Sequence, residues 1–354
     1  MIHASLPPIS GRRIRIGVVG CGRIATNHFQ AIMAHDTHFE LTAVCDTDPA
    51  RLQKAREEHD VAAYSSLEAL LASAPVDIVA LCTPSGLHPS QAIESAKAKR
   101  HVMTEKPMAT RWSDGLQMVR ECDSAGVHLF VVKQNRRNTT LQALKCAIAG
   151  GRFGRIYMAT INVFWTRPQS YYDSAAWRGT WEFDGGALMN QASHYVDLVD
   201  WLVGPVESVQ AYVATLGRNI QVEDTATVGV RWRSGALGSI NVTMLAYPKN
   251  FEGSITILGE KGTVRIGGVA VNQITHWEFA DIRPEDADIA RINYDTTSVY
   301  GFGHPAYYAN VNKVLRGDAE PDTDGREGLR SLELLIASYL SARDGRRVAL
   351  PLEY

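Results

Sequence analysis

The chain has 354 residues, with 36 lysines and arginines against 38 acidic residues, a formal net charge of −2, and 45% hydrophobic and 21% charged residues. That length exceeds what one core usually serves and suits two domains, while the balanced charge leaves no basic footprint for nucleic acid or an anionic membrane. Five scattered cysteines without a C-x-x-C pair exclude a zinc ribbon or disulfide framework, and the lack of a signal-peptide pattern or long apolar run makes cytoplasm the expectation.

From residue 13 to 134, Val/Ile/Leu-rich runs (13–19, 41–46, 77–83, 101–106, 128–134) alternate with helical patterns. This βαβα order predicts a parallel, doubly wound sheet. Directly after the first run, "GVVGCGRIA" (17–25) opens a helix and places Gly20, Gly22 and Ala25 in a G-x-G-x-x-A fingerprint. Gly20 serves the tight turn, Gly22 lets backbone approach a pyrophosphate, and Ala25 packs helix on strand. The helix N-terminus, with Arg23 and Ile24 in the same loop, offers N–H groups to the phosphates. Asp46 closes the second strand, where an acid accepts hydrogen bonds from the adenosine ribose and repels a 2′-phosphate, so NAD is expected rather than NADP. Cys21 reads as a small filler, with no base beside it. "TEKPM" (104–108) ends a buried strand at the carboxyl edge where ligands of such sheets sit, and a cation at Lys106 there can polarise a hydroxyl.

After a helix ending in a Gly-rich stop (138–154), the pattern changes. Runs 155–166, 206–216, 222–233, 236–246, 252–258 and 261–266 read as strands joined by short turns, mostly antiparallel, and a last helix spans about 326–343. The expected domains are therefore 1–134 and 135–354. Between strands lies "GGALMNQASHYVDLVDW" (185–201), read as a helix that sets Asn190, His194, Asp197 and Trp201 on one stripe. Taken alone, that stripe reads as a solvated or capped face, with Asp197 and Trp201 structural. The guanidinium forks of Arg136, Arg137 and Arg167 suit a diphosphate and equally suit ion pairs. The histidines lack metal-ligand spacing, so no metal is expected, and His304 reads as a cap or surface residue.

Jointly, "GVVGCGRIA", Asp46, "CTPSGLHP" (82–89), "EKPM", "WRGTW" (177–181) and "GGALMNQASHYVDLVDWL" resemble the Gfo/Idh/MocA sugar dehydrogenases over nearly the whole chain. The resemblance implies an NAD-binding Rossmann domain followed by an α+β domain with a large open-faced, mostly antiparallel sheet that often mediates oligomers, hence a homodimer or homotetramer. It implies that Lys106 is the active-site lysine, Glu105 a nicotinamide-ribose contact, and His194 the histidine that handles the hydroxyl proton. Thr83, Pro84, His88 and Gln134 fall on the cofactor side, with Trp177 and Arg178 a pair reaching back towards it. Asn190, Arg137 and Arg167, with Lys106 and His194, fall on the substrate side, and Lys106 also borders the cofactor. Asn190 departs from the commoner pattern, which has an aspartate four residues before the histidine. An asparagine neither raises the histidine's pKa above its usual value of about 6.5 nor repels an anionic sugar. Residues 171–204 and 324–352 are most similar to enzymes that oxidise the C3 hydroxyl of UDP-N-acetylglucosaminuronate for bacterial surface polysaccharide. Two alternatives stay open: a dehydrogenase of inositol or a free sugar, and a non-catalytic NAD-binding regulator.

Overall fold

The computed structural model describes residues 6–296 and 303–352. It forms two compact units, one of residues 1–133 with 304–329 and the other of residues 134–303 with 330–354.

The first unit starts β1 (Ile14–Val19), α1 (Ala25–Met33), β2 (Phe39–Cys45), α2 (Pro49–His59), β3 (Ala62–Tyr64) and α3 (Leu67–Ser73). It continues β4 (Ile78–Leu81), α4 (His88–Lys97), β5 (His101–Thr104), α5 (Trp112–Ala125) and β6 (Leu129–Val131). The six strands pair in parallel in the order β3-β2-β1-β4-β5-β6. Their residues are buried as a sheet covered on both faces requires: Ile14, Ile16, Val18, Ile78, Leu81 and Val102 have no exposed surface. Local chemistry sets the helix ends. Asp48 accepts from the Ala50 and Arg51 N–H groups ahead of Pro49 in the first turn of α2, and α5 stops at Gly126 with φ 69°. Strand order reverses between β1 and β4, which puts the ligand crevice of such a sheet at the carboxyl ends of those two strands. The sequence pattern missed β3, since three residues carry no legible alternation.

The second unit contains α6 (Thr139–Ala149), β7 (Ile156–Phe164), α7 (Gln169–Asp173), α8 (Ser193–Val203) and β8 (Val206–Ala214). Then come β9 (Thr225–Trp232), β10 (Leu237–Thr243), β11 (Glu252–Gly259), β12 (Gly262–Gly267) and β13 (Gln273–Phe279), with β14 (Val348–Ala349) closing an edge. The sheet order is β13-β12-β11-β7-β10-β9-β8-β14, antiparallel throughout except for the parallel pair β7–β10. Strand β13 was not anticipated. Along β9, Ala226, Val228, Val230 and Trp232 turn inward while Thr227, Gly229 and Arg231 turn outward. Helix α8 is buried on almost every side, its apolar residues packed inward and its buried Asp197 paired with Arg136.

A late helix, α9 (Gly303–Arg316), crosses the simple division at residue 135. Tyr307, Tyr308, Val311, Val314 and Leu315 join the core formed by β1, β2 and β4, so residues 304–329 belong to the first unit. The last helix, α10 (Gly325–Asp344), follows.

Candidate active site

In the first unit, Gly20 has φ +91°, and a Cβ there would sit 2.8 Å from the Cys82 carbonyl, so only glycine fits. Beside Gly22 the nearest foreign atom, the Arg51 guanidinium, is 3.9 Å from where a Cβ would be, which leaves the backbone open to a ligand. Ala25 is fully buried at the start of α1. Asp46 Oδ2 accepts the Cys21 N–H at 2.7 Å and Oδ1 the Asp48 N–H at 2.8 Å. A carboxylate has about four acceptor positions, so it retains capacity for a ribose while being held at the loop. Burial pushes the Cys21 thiol up to about 12, so it stays protonated and inert, as a filler should. These residues fit the diphosphate and adenosine ribose of NAD.

At the carboxyl ends of β4 and β5, His88 is buried with Nδ1 3.0 Å from the Pro107 carbonyl and Nε2 2.9 Å from that of Thr83. The ring sits between the two loops bordering the crevice; burial pushes its pKa down, and a neutral ring has one N–H, so it donates to one of these carbonyls at a time. Thr83 donates to Gln91 at 2.6 Å. Lys106 is half-buried, and its N–H donates to Glu105 Oε2 at 3.1 Å. Glu105 is only 4% exposed, and His28 and His304 both meet its Oε1, at 3.1 and 3.4 Å. His304 is therefore not a cap or surface residue: it is 3% exposed, because the apolar face of α9 carries it into the core.

In the second unit the stretch 185–201 is not one continuous α-helix. A π turn spans Ala187–Gln191, and α8 begins at Ser193, so the angular phase that set Asn190 on one stripe with His194 is broken between them. Gln134 Nε2 lies 2.9 Å from His194 Nε2 and orients the ring. Asn190 donates from Nδ2 to Asp184, which also accepts the Gly179 N–H at 2.7 Å. An acid is thus present beside Asn190, six positions earlier in the chain and buried, where spacing gave no signal for it. Asn190 also accepts from Gln191, at 3.3 Å, and Gln191 links Arg167, at 2.9 Å, to the Tyr171 hydroxyl, at 3.0 Å. Arg178 donates to that hydroxyl at 2.5 Å and lies over the Tyr171 and Trp177 rings. The unit thus joins Arg167, Arg178 and Asn190 in one polar network, with Trp177 stacked on it. Arg137 is half-buried on the short turn Gln134–Arg137. Arg136 belongs elsewhere: it is buried, forks onto Asp197 at 2.7 and 2.8 Å and lies over Trp201, which makes Asp197 and Trp201 structural, as expected.

Sequence reading missed Glu223. Its carbonyl accepts the Ala187 N–H at 3.0 Å, and its Oε1 accepts the Leu188 N–H at 2.8 Å and the Tyr339 hydroxyl at 2.9 Å. The Tyr339 oxygen in turn accepts the Met189 N–H at 3.1 Å. Three N–H groups at the start of the π turn, which no helical carbonyl can satisfy, are thus capped. Burial lifts the Glu223 carboxyl from 4.5 to about 7, against the pull of the Leu188 and Tyr339 hydrogen bonds. Since the folded pKa lies above the unfolded one, its stabilisation is complete below pH 4.5 and is lost as pH rises through 7, by about 3 kcal/mol at most. Glu223→Gln, which keeps the acceptor for Leu188 and Tyr339, is expected to flatten the dependence of melting temperature on pH between about pH 5 and 8. Parallel curves for variant and wild type would remove Glu223 as the titrating group.

Residues 14–133 match a family model described as oxidoreductase family, NAD-binding Rossmann fold, and residues 145–350 match its companion, the oxidoreductase family C-terminal alpha/beta domain. The chain belongs to the Gfo/Idh/MocA oxidoreductase family, and it is an NAD-dependent dehydrogenase. It is 66% identical to the WlbA dehydrogenase from Bordetella pertussis, solved in complex with NADH and UDP-GlcNAcA, with a TM-score of 0.95 and coverage of 98% of this chain and 100% of that one. The WlbA dehydrogenase from Chromobacterium violaceum, also in complex with NADH and UDP-GlcNAcA, is 67% identical with a TM-score of 0.94, covering 99% of each chain. Among curated relatives, the myo-inositol 2-dehydrogenase of Thermotoga maritima is 28% identical over 347 residues, 95% of this chain and 98% of that protein.

Proposed function

We propose that this protein oxidises the C3 hydroxyl of UDP-N-acetylglucosaminuronic acid to the 3-keto sugar, for the synthesis of bacterial surface polysaccharide such as O-antigen, in the cytoplasm. The observation that carries the reading is the 66–67% identity, over nearly the full length, to two dehydrogenases whose crystals hold NADH and UDP-GlcNAcA. Bound NAD⁺ supplies the hydride acceptor; the rest is positioning and proton transfer by the chain. His194, with its ring oriented by Gln134, takes the hydroxyl proton while Lys106 polarises the same oxygen. Asn190, Arg137 and Arg167 bind the substrate, and Asn190 adds no charge against its carboxylate. Gly20, Gly22, Arg23, Ile24, Asp46, Thr83, Pro84, His88, Gln134, Trp177 and Arg178 serve the cofactor.

The active form is a homo-oligomer, with a second copy covering the outward face of the second unit's sheet. Support comes from the register: Tyr212, Thr227, Asn241 and Asn162 align across β8, β9, β10 and β7, and Leu237, Met158 and Leu258 align across β10, β7 and β11. Leu237 is 52%, Met158 42% and Leu258 36% exposed, an apolar row of the kind that marks association, and Tyr212 in the other row is 73% exposed.

The experiment is NADH formation by purified protein with UDP-N-acetylglucosaminuronic acid, myo-inositol and free hexoses in parallel, with light scattering for oligomeric state. Turnover confined to the sugar nucleotide supports the reading. Preference for inositol or a hexose, or NAD binding with no turnover of any of them, replaces it with one of the alternatives, and a monomer removes the sheet-face contact.

A further inference from the structure

Two histidines far apart in sequence meet on one buried carboxylate. His28 on α1 and His304 on α9 both reach Glu105 Oε1, their ring centroids 5.4 Å apart. All three side chains are at most 5% exposed. The Tyr308 hydroxyl lies 2.8 Å from His28 Nδ1, so with that O–H donating, the ring hydrogen sits on Nε2 and points at Glu105. Burial alone would raise the Glu105 carboxyl, but the hydrogen bonds from His28 and His304 outweigh it and hold the pKa well below the usual carboxylate range. Burial also pushes His304 down, against the pull of Glu105.

A buried charge of this kind contributes little to stability compared with a well-packed apolar group, because removing it from water costs about as much as its partners return. Its position suggests a different use. The second oxygen, Oε2, accepts the N–H of Lys106 itself, so the orientation of the carboxylate sets the main chain from which the lysine side chain springs. We infer that His28 and His304 are positioning residues: they lock Glu105, and through Glu105 they fix the root of Lys106. This rests on the proposed role of Lys106, and it assigns Glu105 primarily to the lysine rather than to the nicotinamide ribose. The three donor groups, all within 4.8 Å of one another, are of types that also bind divalent metals, but the 3.1 and 3.4 Å contacts and the Tyr308 partner account for the cluster as hydrogen bonds.

The test uses the full-length protein with NAD⁺ and the substrate that it turns over. Glu105→Gln and His304→Leu are each expected to lower kcat about 100-fold, the cost of misplacing a reacting group by about 1 Å. The KM for the sugar and the Kd for NADH should stay within about 3-fold. His304→Gln, whose amide presents a donor where Nε2 lies, is expected to recover most of the lost kcat; if His304→Leu does not fold, His304→Asn, too short to present that donor, takes its place. Full activity in Glu105→Gln, or a glutamine at 304 no better than leucine or asparagine, overturns the inference. So does a loss carried by NADH affinity, which would make Glu105 a ribose contact, or a stoichiometric divalent metal in the purified wild type. Lys106→Ala separates the two layers: if it is inactive while the Glu105 and His304 variants are unimpaired, only this inference fails, and if it is fully active, the role of Lys106 and this inference fail together.

Discussion

Lys106→Ala and His194→Ala are each expected to lower kcat about 1,000-fold, within the range that a positioned general acid or base contributes, while NADH affinity changes little. The dinucleotide fingerprint explains the second half of that expectation: Gly20 and the open backbone at Gly22 lie in the loop between β1 and α1, and Asp46 directly follows β2, and neither substitution touches them. The ammonium of Lys106 and the imidazole of His194 act on the same proton-bearing oxygen in the proposed chemistry, so the double variant should lose less than the product of the two single losses. Steady-state kinetics with NADH titration by fluorescence checks this. Unchanged turnover in both single variants would sink the assignment, and a loss appearing only as weaker NADH binding would move the two residues to the cofactor.

The second large effect is on folding. Gly186 has ordinary extended dihedrals, φ −90° and ψ −165°, so alanine faces no backbone penalty there. The obstacle is Glu223: a Cβ at Gly186 would lie 1.7 Å from its Oε2 and 2.0 Å from its Cδ. The carboxyl would have to leave the place where it accepts from Leu188 and Tyr339, stripping caps from the π turn. Overpacking and lost buried hydrogen bonds together cost about 3 kcal/mol. Gly186→Ala is therefore expected to lower the melting temperature by several degrees and to reduce kcat through the displaced turn that carries Asn190. Combining it with Glu223→Ala, which empties the contested space, should cost less than the sum of the two changes. Additive melting-temperature losses would show that the clash is not what matters at Gly186.

Features written within a short window were legible in the sequence. The parallel strands, the glycine turn at Gly20 and Gly22, the acid at Asp46 and the lysine after β5 each depend on neighbours a few residues away. The antiparallel character of the second sheet was legible too, through the alternation in strands such as β9. What depended on distant contacts was not. His304 and Glu105 are 199 positions apart, and nothing in the spacing around His304 distinguishes a buried partner from a surface histidine. Glu223 sits 35 residues beyond the Leu188 N–H that it caps. The helical stripe through Asn190 and His194 failed for a local reason, since the π turn shifts the phase that a uniform 100° step assumes, and the two glycines at 185–186 mark where the regular geometry begins late. Arg136 stayed open between a diphosphate and an ion pair because its partner, Asp197, lies 61 residues away.

The return of α9 has a consequence for how the chain is made. A nascent polypeptide that has emerged only as far as β6 holds every strand of the first sheet, yet it lacks Tyr307, Tyr308, Val311, Val314 and Leu315, which complete that sheet's core. The N-terminal segment therefore leaves the ribosome with an apolar surface still waiting for its cover, and stays so while the whole intervening second-unit segment is translated. Early folding of an N-terminal domain as a finished unit is not open to this architecture, and truncation at the linear boundary yields an incomplete core rather than a free-standing nucleotide domain.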